Sequence, residues 1–550
     1  MPPAEHEPYT PPRKRARTRQ ELAVCPQRAC YERASALLHL AALDHDENAA
    51  RKLLRACPEN VDHENDPSGA RERALHVACN VGAAGVVRVL LGSGADAEAP
   101  QGNGATPLCI AAEYGHDEII QQLLSAGAQV DGFSHMRDGA DTWPLRFAAN
   151  WGWWSSAKLL LDARADPNIT ATSETVTGLP GGTCTVSALL MACVAHERGH
   201  VDVAKLLIQR GADPWLGSVN GGHCLHVTAS RGHLGLVDVL LCEPRHKLDV
   251  NRRIHVPVAN PNAALKAACI DGYHTNPDHV GATALYLASE KGHAAVVKRL
   301  LAQGANPNTP NWRGDAPITV ATMRSNTDVV RVLIRAKADL EAAPSDMPTP
   351  IEGLSRAGDT HWIGKTALCT AAMRDADLMI ARLLIDAGAE LEATDCCGDS
   401  PLQTAVYFGQ FQMAQQLLAA GANLTQRNTK GETALHIACH RGNVRVLRLL
   451  LSHGADPSLR TADAEMVERL QMTPLHTAFV AAAPGLLGVV HELVAGGAVW
   501  LSPLPADAYS AEASLDPGLY YHNQYEVIFL HHLFPSNQSN IHLNLQYHMI

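Results

Sequence analysis

One short pattern recurs along almost the whole chain: a leucine, two further residues, then a small residue that is nearly always alanine. It places the leucine at Leu38, Leu75, Leu108, Leu145, Leu189, Leu225, Leu285, Leu368, Leu402, Leu435 and Leu475, with Ile318 substituting once. The tight spacings are 33 or 34 residues. A unit of that length holds two short helices and a turn, too little to bury a core alone, so each unit must stack on its neighbours. The 550 residues therefore read as one continuous stack where an ordinary chain would divide into several globular domains.

The residues around the leucine have physical reasons. Thr106, Thr283, Thr366 and Thr433 stand where a hydroxyl caps a first helix, and Pro107 and Pro474 occupy its first turn, where a missing N–H costs nothing. Gly115, Gly232, Gly292 and Gly442 end that helix, and Ile119, Ile120, Leu123 and Leu124 give a second helix its apolar face. Gly-Ala-Asp turns close the unit, as at Gly94-Ala95-Asp96, Gly211-Ala212-Asp213 and Gly454-Ala455-Asp456. Segments such as GATPLCIAAEYGHDEIIQQLLSAGAQVD (104–131) and GETALHIACHRGNVRVLRLLLSHGADPS (431–458) closely resemble the ankyrin-repeat family. The resemblance covers roughly residues 34–500 and implies an all-α solenoid of about twelve helix-turn-helix repeats with β-turn or hairpin loops.

Three intervals exceed the repeat length, placing insertions near 169–186, 252–279 and 343–361. Within the second, Ala264 to Gly272 has the spacing of a first helix with no second helix after it, a degenerate half-repeat. The array is expected to span 31–500, between a disordered basic segment (1–30) and a poorly ordered tail (501–550). Arg13, Lys14, Arg15, Arg17 and Arg19 form a basic run that suits a nuclear-import signal or a solvated tail. At the other end, no Lys or Arg follows Arg469, and beyond Pro517 the alanine-rich style gives way to Tyr, His, Asn and Ile. There a short partner-binding helix around Tyr525 to Phe534 is one alternative to a loose tail.

A formal charge of −11 argues against direct nucleic-acid binding by the repeats, because phosphate recognition needs broad clusters of Lys and Arg. The apolar stretch from Phe479 to Leu504 is interrupted by Pro484, His491 and Glu492, so neither a membrane span nor a signal peptide is expected. Scattered cysteines such as Cys79, Cys193, Cys269 and Cys439 suit reduced thiols in cytoplasm or nucleus.

Few motifs carry chemistry. His196-Glu197-Arg198-Gly199-His200 fits HExxH, a zinc-hydrolase pattern, but Gly199-His200 repeats the Gly-His pair of 115–116, 232–233 and 292–293, and no glutamate between Val201 and Cys242 supplies a third ligand. Residues 353–360 (GLSRAGDT) have P-loop glycine spacing, with Asp359 where a lysine should meet phosphate. The expectation is a non-enzymatic chain with no cofactor and no metal. His39, His76, His226, His436 and His476 follow the repeat leucine as the family's structural histidine does, and should hydrogen-bond between repeats.

In the ankyrin fold, residues just before the interhelix glycine point into a concave groove. Here they are Tyr114 and Trp151 early in the array. Later come Arg198, Arg231, Lys291, Arg324, Arg374 and Arg441, interrupted by Phe408. Tyr and Trp are favoured contact anchors. One cation per repeat suits an extended acidic segment, although a cation at a helix C-terminus is favourable without any ligand. The leading expectation is a monomeric, cytoplasmic or nuclear scaffold or adaptor that holds a protein partner in that groove. The alternatives are a nuclear regulator resembling ankyrin inhibitors of transcription factors, a ubiquitin-ligase substrate receptor acting through 501–550, and the zinc hydrolase.

Overall fold

A computed structural model describes residues 26–58, 61–62, 72–102, 104–132, 134–135, 141–172, 185–195, 200–217, 222–242, 248–254, 279, 281–311, 313–342, 365–374, 377–395, 397–461, 472–480 and 485–498. The half-repeat at 264–272, the basic run at 13–19, the third insertion and the tail at 501–550 lie outside them. The chain divides into two units, Met1–Val219 and Asn220–Ile550.

One repeat explains the local logic. Thr106 takes extended backbone angles and its hydroxyl accepts the N–H of Cys109 at 3.3 Å, so the helix Pro107–Tyr114 starts capped with proline in its first turn. Eight residues later Gly115 adopts φ 74° and stops it. After the turn, Asp117–Ser125 runs with two acidic residues at its start, where the helix dipole favours them. Helices this short are not stable alone. What holds them is burial: Leu108, Cys109, Ala111, Ala112, Ile119, Ile120 and Leu123 are all sealed from solvent. The alanines let neighbouring helices approach closely, which is why so few aromatics are needed.

In the first unit the first and second helices pair as Pro26–Leu43 with Glu47–Ala56, Ala74–Val81 with Ala84–Gly92, Pro107–Tyr114 with Asp117–Ser125, Pro144–Trp151 with Trp154–Asp162, and Ala188–Val194 with His200–Gln209. The first of these begins inside the expected N-terminal tail, with Pro26 at its first position. The second unit pairs Cys224–Arg231 with Leu234–Cys242, Ala284–Lys291 with Ala294–Ala302, Pro317–Met323 with Thr327–Arg335, Ala367–Ala371 with Leu378–Asp386, Pro401–Tyr407 with Phe411–Ala419, Ala434–Arg441 with Val444–Ser452, and Pro474–Val480 with Leu486–Ala495. Within each unit, first helices pack on first helices and second on second.

Two insertions leave from clamped ends. Thr170–Thr172 pairs antiparallel with Thr185–Ser187, which closes the first as a hairpin. At the second, the Ile254 N–H donates to the Ala282 carbonyl and the Gly281 N–H donates back to Ile254, at 2.9 and 3.0 Å. Ile254 then packs with Tyr286, Leu287 and Val320. The chain therefore re-enters the stack in register. A shorter hairpin, Ser134–His135 with Asp141–Thr142, projects from the turn before Pro144.

Three hydrogen-bond ladders tie successive repeats. In the first, the imidazole after the repeat leucine bridges to the next repeat's approach strand: Nε2 of His39, His76, His226 and His436 meets the carbonyls of Glu72, Ala99, Arg252 and Met472 at 2.8–3.1 Å. The second lies at the turns, where a side chain accepts the next turn's backbone N–H, as Glu98 does from Gln129 and Glu392 from Asn423, both at 2.7 Å. Asp131 and Glu341 do the same for Asp166 and Glu390, and their carboxyls titrate high, chiefly because they are partly buried. The third surrounds the interhelix glycine.

Candidate protein-interaction surface

The glycine that stops each first helix fixes two positions at once. The residue before it ends or caps the helix. The residue after it reaches back to the previous repeat: Nε2 of His116 to the Asn80 carbonyl at 3.2 Å, and the Trp153 indole N–H to Glu113 at 2.8 Å. In the second unit, Nε2 of His293 meets the Ser230 carbonyl at 3.0 Å, the amide of Asn326, which follows Ser325 (φ 58°) in place of a glycine, donates to Ser289 at 2.9 Å, and the Gln410 amide donates to Met373 at 3.0 Å. His116, Trp153, His293 and Asn326 lie directly on the previous repeat's glycine, Gly82, Gly115, Gly232 and Gly292. A Cβ on Gly115 would sit 2.6 Å from the Trp153 ring, so Trp153 is a packing residue. His200 belongs to the same series: it is buried, with Nε2 2.9 Å from the Asn150 carbonyl. Residues 196–199, including Arg198, lie outside the described residues. Among the described residues, no group of three or more His, Cys, Asp or Glu is placed to hold a metal ion.

Most of each first helix is buried, but the side chain just before the interhelix turn is exposed in several repeats. In the first unit Tyr114 is 46% exposed and Trp151 51%. They end adjacent helices, Pro107–Tyr114 and Pro144–Trp151. Tyr114 stacks at 6.2 Å on His116, which braces its ring without covering it.

The second unit carries the cations, and the structure gives each a different setting. Arg231 is half-buried, and that burial lowers the pKa of its guanidinium. Lys291, Arg324, Arg374 and Arg441 are exposed. Three of them lean on the repeat before. Arg324 Nη2 donates to Glu290 at 2.7 Å, Arg374 approaches the Met323 carbonyl at 3.5 Å, and Arg441 donates to the Tyr407 carbonyl at 3.1 Å with its guanidinium 4.6 Å over the Tyr407 ring. Phe408, 37% exposed, meets Tyr407 edge-on at 5.2 Å.

Glu290, one residue before Lys291, has no separate signal in the repeat pattern. Its side chain is buried, yet it receives His279 Nε2 at 2.8 Å and Arg324 at 2.7 Å, with Lys291 Nζ 3.6 Å away. Burial alone would raise its carboxyl, but these hydrogen bonds and charges outweigh that and hold it at about 2. The charge of Lys291 and Arg324 is thus partly offset inside the protein. No described helix is long and apolar enough to cross a membrane.

Comparisons with known proteins bear on the whole array. The family model described as "Ankyrin repeats (3 copies)" matches residues 38–134, 254–343, 351–428 and 412–499, more than half of the chain, and the model "Ankyrin repeats (many copies)" matches 189–241. The chain is 27% identical over 242 residues to the ankyrin repeat and KH domain-containing protein mask-1 of Caenorhabditis elegans, covering 42% of this chain and 8% of that protein. It is 26% identical over 314 residues to the E3 ubiquitin-protein ligase KEG of Arabidopsis thaliana, 56% of this chain and 16% of that one. It thus spans less than a fifth of either relative. Among solved structures, the human ASB11 ankyrin repeat domain matches 51% of this chain and 99% of its own, at 20% identity and a TM-score of 0.35.

Proposed function

The chain belongs to the ankyrin-repeat family, whose repeats bind protein partners, and from that premise we propose that it is a non-enzymatic scaffold holding a partner along the residues that end its first helices. One observation carries this reading: Tyr114, Trp151, Lys291 and Arg441 at the last position of their helices, and Arg324, Arg374 and Phe408 just beyond theirs, stay exposed while most of each of those helices is buried. In the first unit, Trp151 and Tyr114 serve as anchors, large rings that lose little entropy on contact. In the second, the exposed cations favour an extended acidic segment, and Arg231 contributes least because it is already half-buried. The import and ligase-receptor readings rest on 13–19 and 501–550, and nothing described here favours either.

The test is fluorescence anisotropy with a labelled twelve-residue Glu-rich peptide, titrated with the full chain at two salt concentrations. Wild type should bind roughly tenfold more weakly on going from low to physiological salt. The triple variant Lys291→Glu, Arg374→Glu, Arg441→Glu should lose a further factor of about ten. No binding by wild type, or equal binding by the triple variant, overturns the acidic-segment reading. For the aromatic anchors, the readout is the set of cellular proteins retained by wild type and by Trp151→Ala; identical sets remove Trp151 from the surface.

A further inference from the structure

The last described repeat, Pro474–Val480 with Leu486–Ala495, leaves apolar side chains uncovered. In the repeat before it, two side chains of the second helix point along the stack. A Cβ on Gly488 would lie 3.1 Å from Val444, and one on Gly496 would lie 3.1 Å from Leu451. Val444 and Leu451 therefore sit against the last repeat. The residues in the same two positions one repeat later are Leu487 and Val494, 52% and 38% exposed. At the Val494 position the earlier repeats carry Leu91, Leu124, Leu161, Ile208, Leu241, Leu301, Ile334, Ile385, Leu418 and Leu451, each buried or half-buried. A solenoid ends stably on a polar outer face, and this one carries leucine and valine there.

We propose that this face is covered in cis by the apolar run Tyr525–Phe534 (YEVIFLHHLF). Three facts select that occupant. The 52 residues after Ala498 exceed one repeat, so there is enough chain to form another layer. The run contributes Val527, Ile528, Phe529, Leu530, Leu533 and Phe534 with a single charge, Glu526. The 26 residues between Ala498 and Tyr525 are enough chain to span up to roughly 90 Å, so the run can reach the face from the same chain.

The experiment places the photo-crosslinking residue p-benzoylphenylalanine at position 487 of the full chain, followed by irradiation, digestion and mass spectrometry. Intrachain adducts to peptides within 525–534 are expected at all protein concentrations. The first helix has an apolar stripe of its own, Leu37, Leu40 and Leu43, all exposed. Interchain adducts there, growing with concentration, would mean that a second copy covers the face and would overturn the proposal. Adducts elsewhere, or none, also overturn it. A second readout uses Leu487→Glu and Ile528→Glu in the full chain: each alone should speed amide exchange of Leu486–Ala495 roughly tenfold, and the double variant should add little. Additive effects would show that the two residues do not meet.

Discussion

Lowering the pH from 7 to 5 should loosen the helix Ala74–Val81, and one replacement at His76 should remove most of that effect. His76 is buried; its Nδ1 accepts the backbone N–H of Arg73 at 3.1 Å and its Nε2 meets the Ala99 carbonyl at 2.8 Å. These partners fix the tautomer with the proton on Nε2, and a second proton would have to sit on Nδ1, facing another donor. Burial above all, with the charge of Arg73 nearby, lowers its pKa to about 4 despite the bond to Ala99. In the unfolded chain the value is near 6.5. Between these values the unfolded chain binds a proton that the folded one refuses, so the contribution is fully present above 6.5 and is lost as the pH falls toward 4. From pH 7 to pH 5 the linkage amounts to roughly 2 kcal/mol, or about thirtyfold in the local opening equilibrium. The chain itself supplies the control. At the same repeat position Gln403 accepts the Ser400 N–H through Oε1 and donates through Nε2 to the Gln426 and Glu432 carbonyls, the same bridge without a titrating group. Amide exchange of Ala74–Val81, corrected for intrinsic rates, should lose about thirtyfold protection in wild type and less than threefold in His76→Gln. Equal losses in the two proteins would refute the reasoning.

Gly232→Ala combines φ +76° with a Cβ 2.5 Å from His293, whereas Gly304→Ala has φ +86° in open space. The first should cost more than about 2 kcal/mol and the second roughly 1; equal urea midpoints would remove the steric argument. Lys365 and Asp395 form a buried ion pair at 2.8 Å, so Lys365→Met should cost about 3 kcal/mol by stranding the carboxylate. A loss below 1 kcal/mol in chemical unfolding would mean that the Cys397 and Asp399 N–H groups, which Asp395 also accepts, suffice. Cys242 is exposed beside the Arg299 guanidinium, 3.2 Å away, and should be the first of the described thiols to react with iodoacetamide in the native protein. Burial raises the pKa of Cys79 and Cys439 and takes Cys369 to about 12, so mass spectrometry should find those three unlabelled until the chain unfolds; early labelling of Cys79 or Cys439 would contradict the packing.

The repeat boundaries were legible because they rest on local chemistry. Thr106 and Pro107 begin a helix for reasons contained within four residues, and Gly115 ends it for a reason contained in one. The structural histidines could also be read, since a polar ring beside the repeat leucine must find a partner once buried. Other contacts were less visible. Nothing in the sequence distinguishes Glu290 from an exposed glutamate, because its burial and its bonds to His279 and Arg324 arise only when two repeats stack. The clamp of Ile254 to Ala282 spans an insertion that carries no repeat pattern. Trp153 was the instructive case: itself 42% exposed between Trp151 and Trp154, it fills the place where other repeats put histidine and lies on Gly115.

The position before the glycine is the hardest to read, and the reason is physical. A side chain at a helix C-terminus that stacks on another repeat has three satisfactions open to it: the helix dipole, the preceding repeat, and a ligand. Arg441 takes the first two, bonding the Tyr407 carbonyl and covering its ring, so a cation there persists without any partner. Trp151 has no comparable return, since half of a large apolar ring stays in water at a position where a small or polar residue would serve the fold equally well. Burial of that ring would gain far more than re-aiming an arginine that is already bonded. Under the proposed function, the aromatic edge of the first unit is therefore the stronger mark of a binding surface, and the cations of the second unit would select for charge with a geometry the repeats already hold.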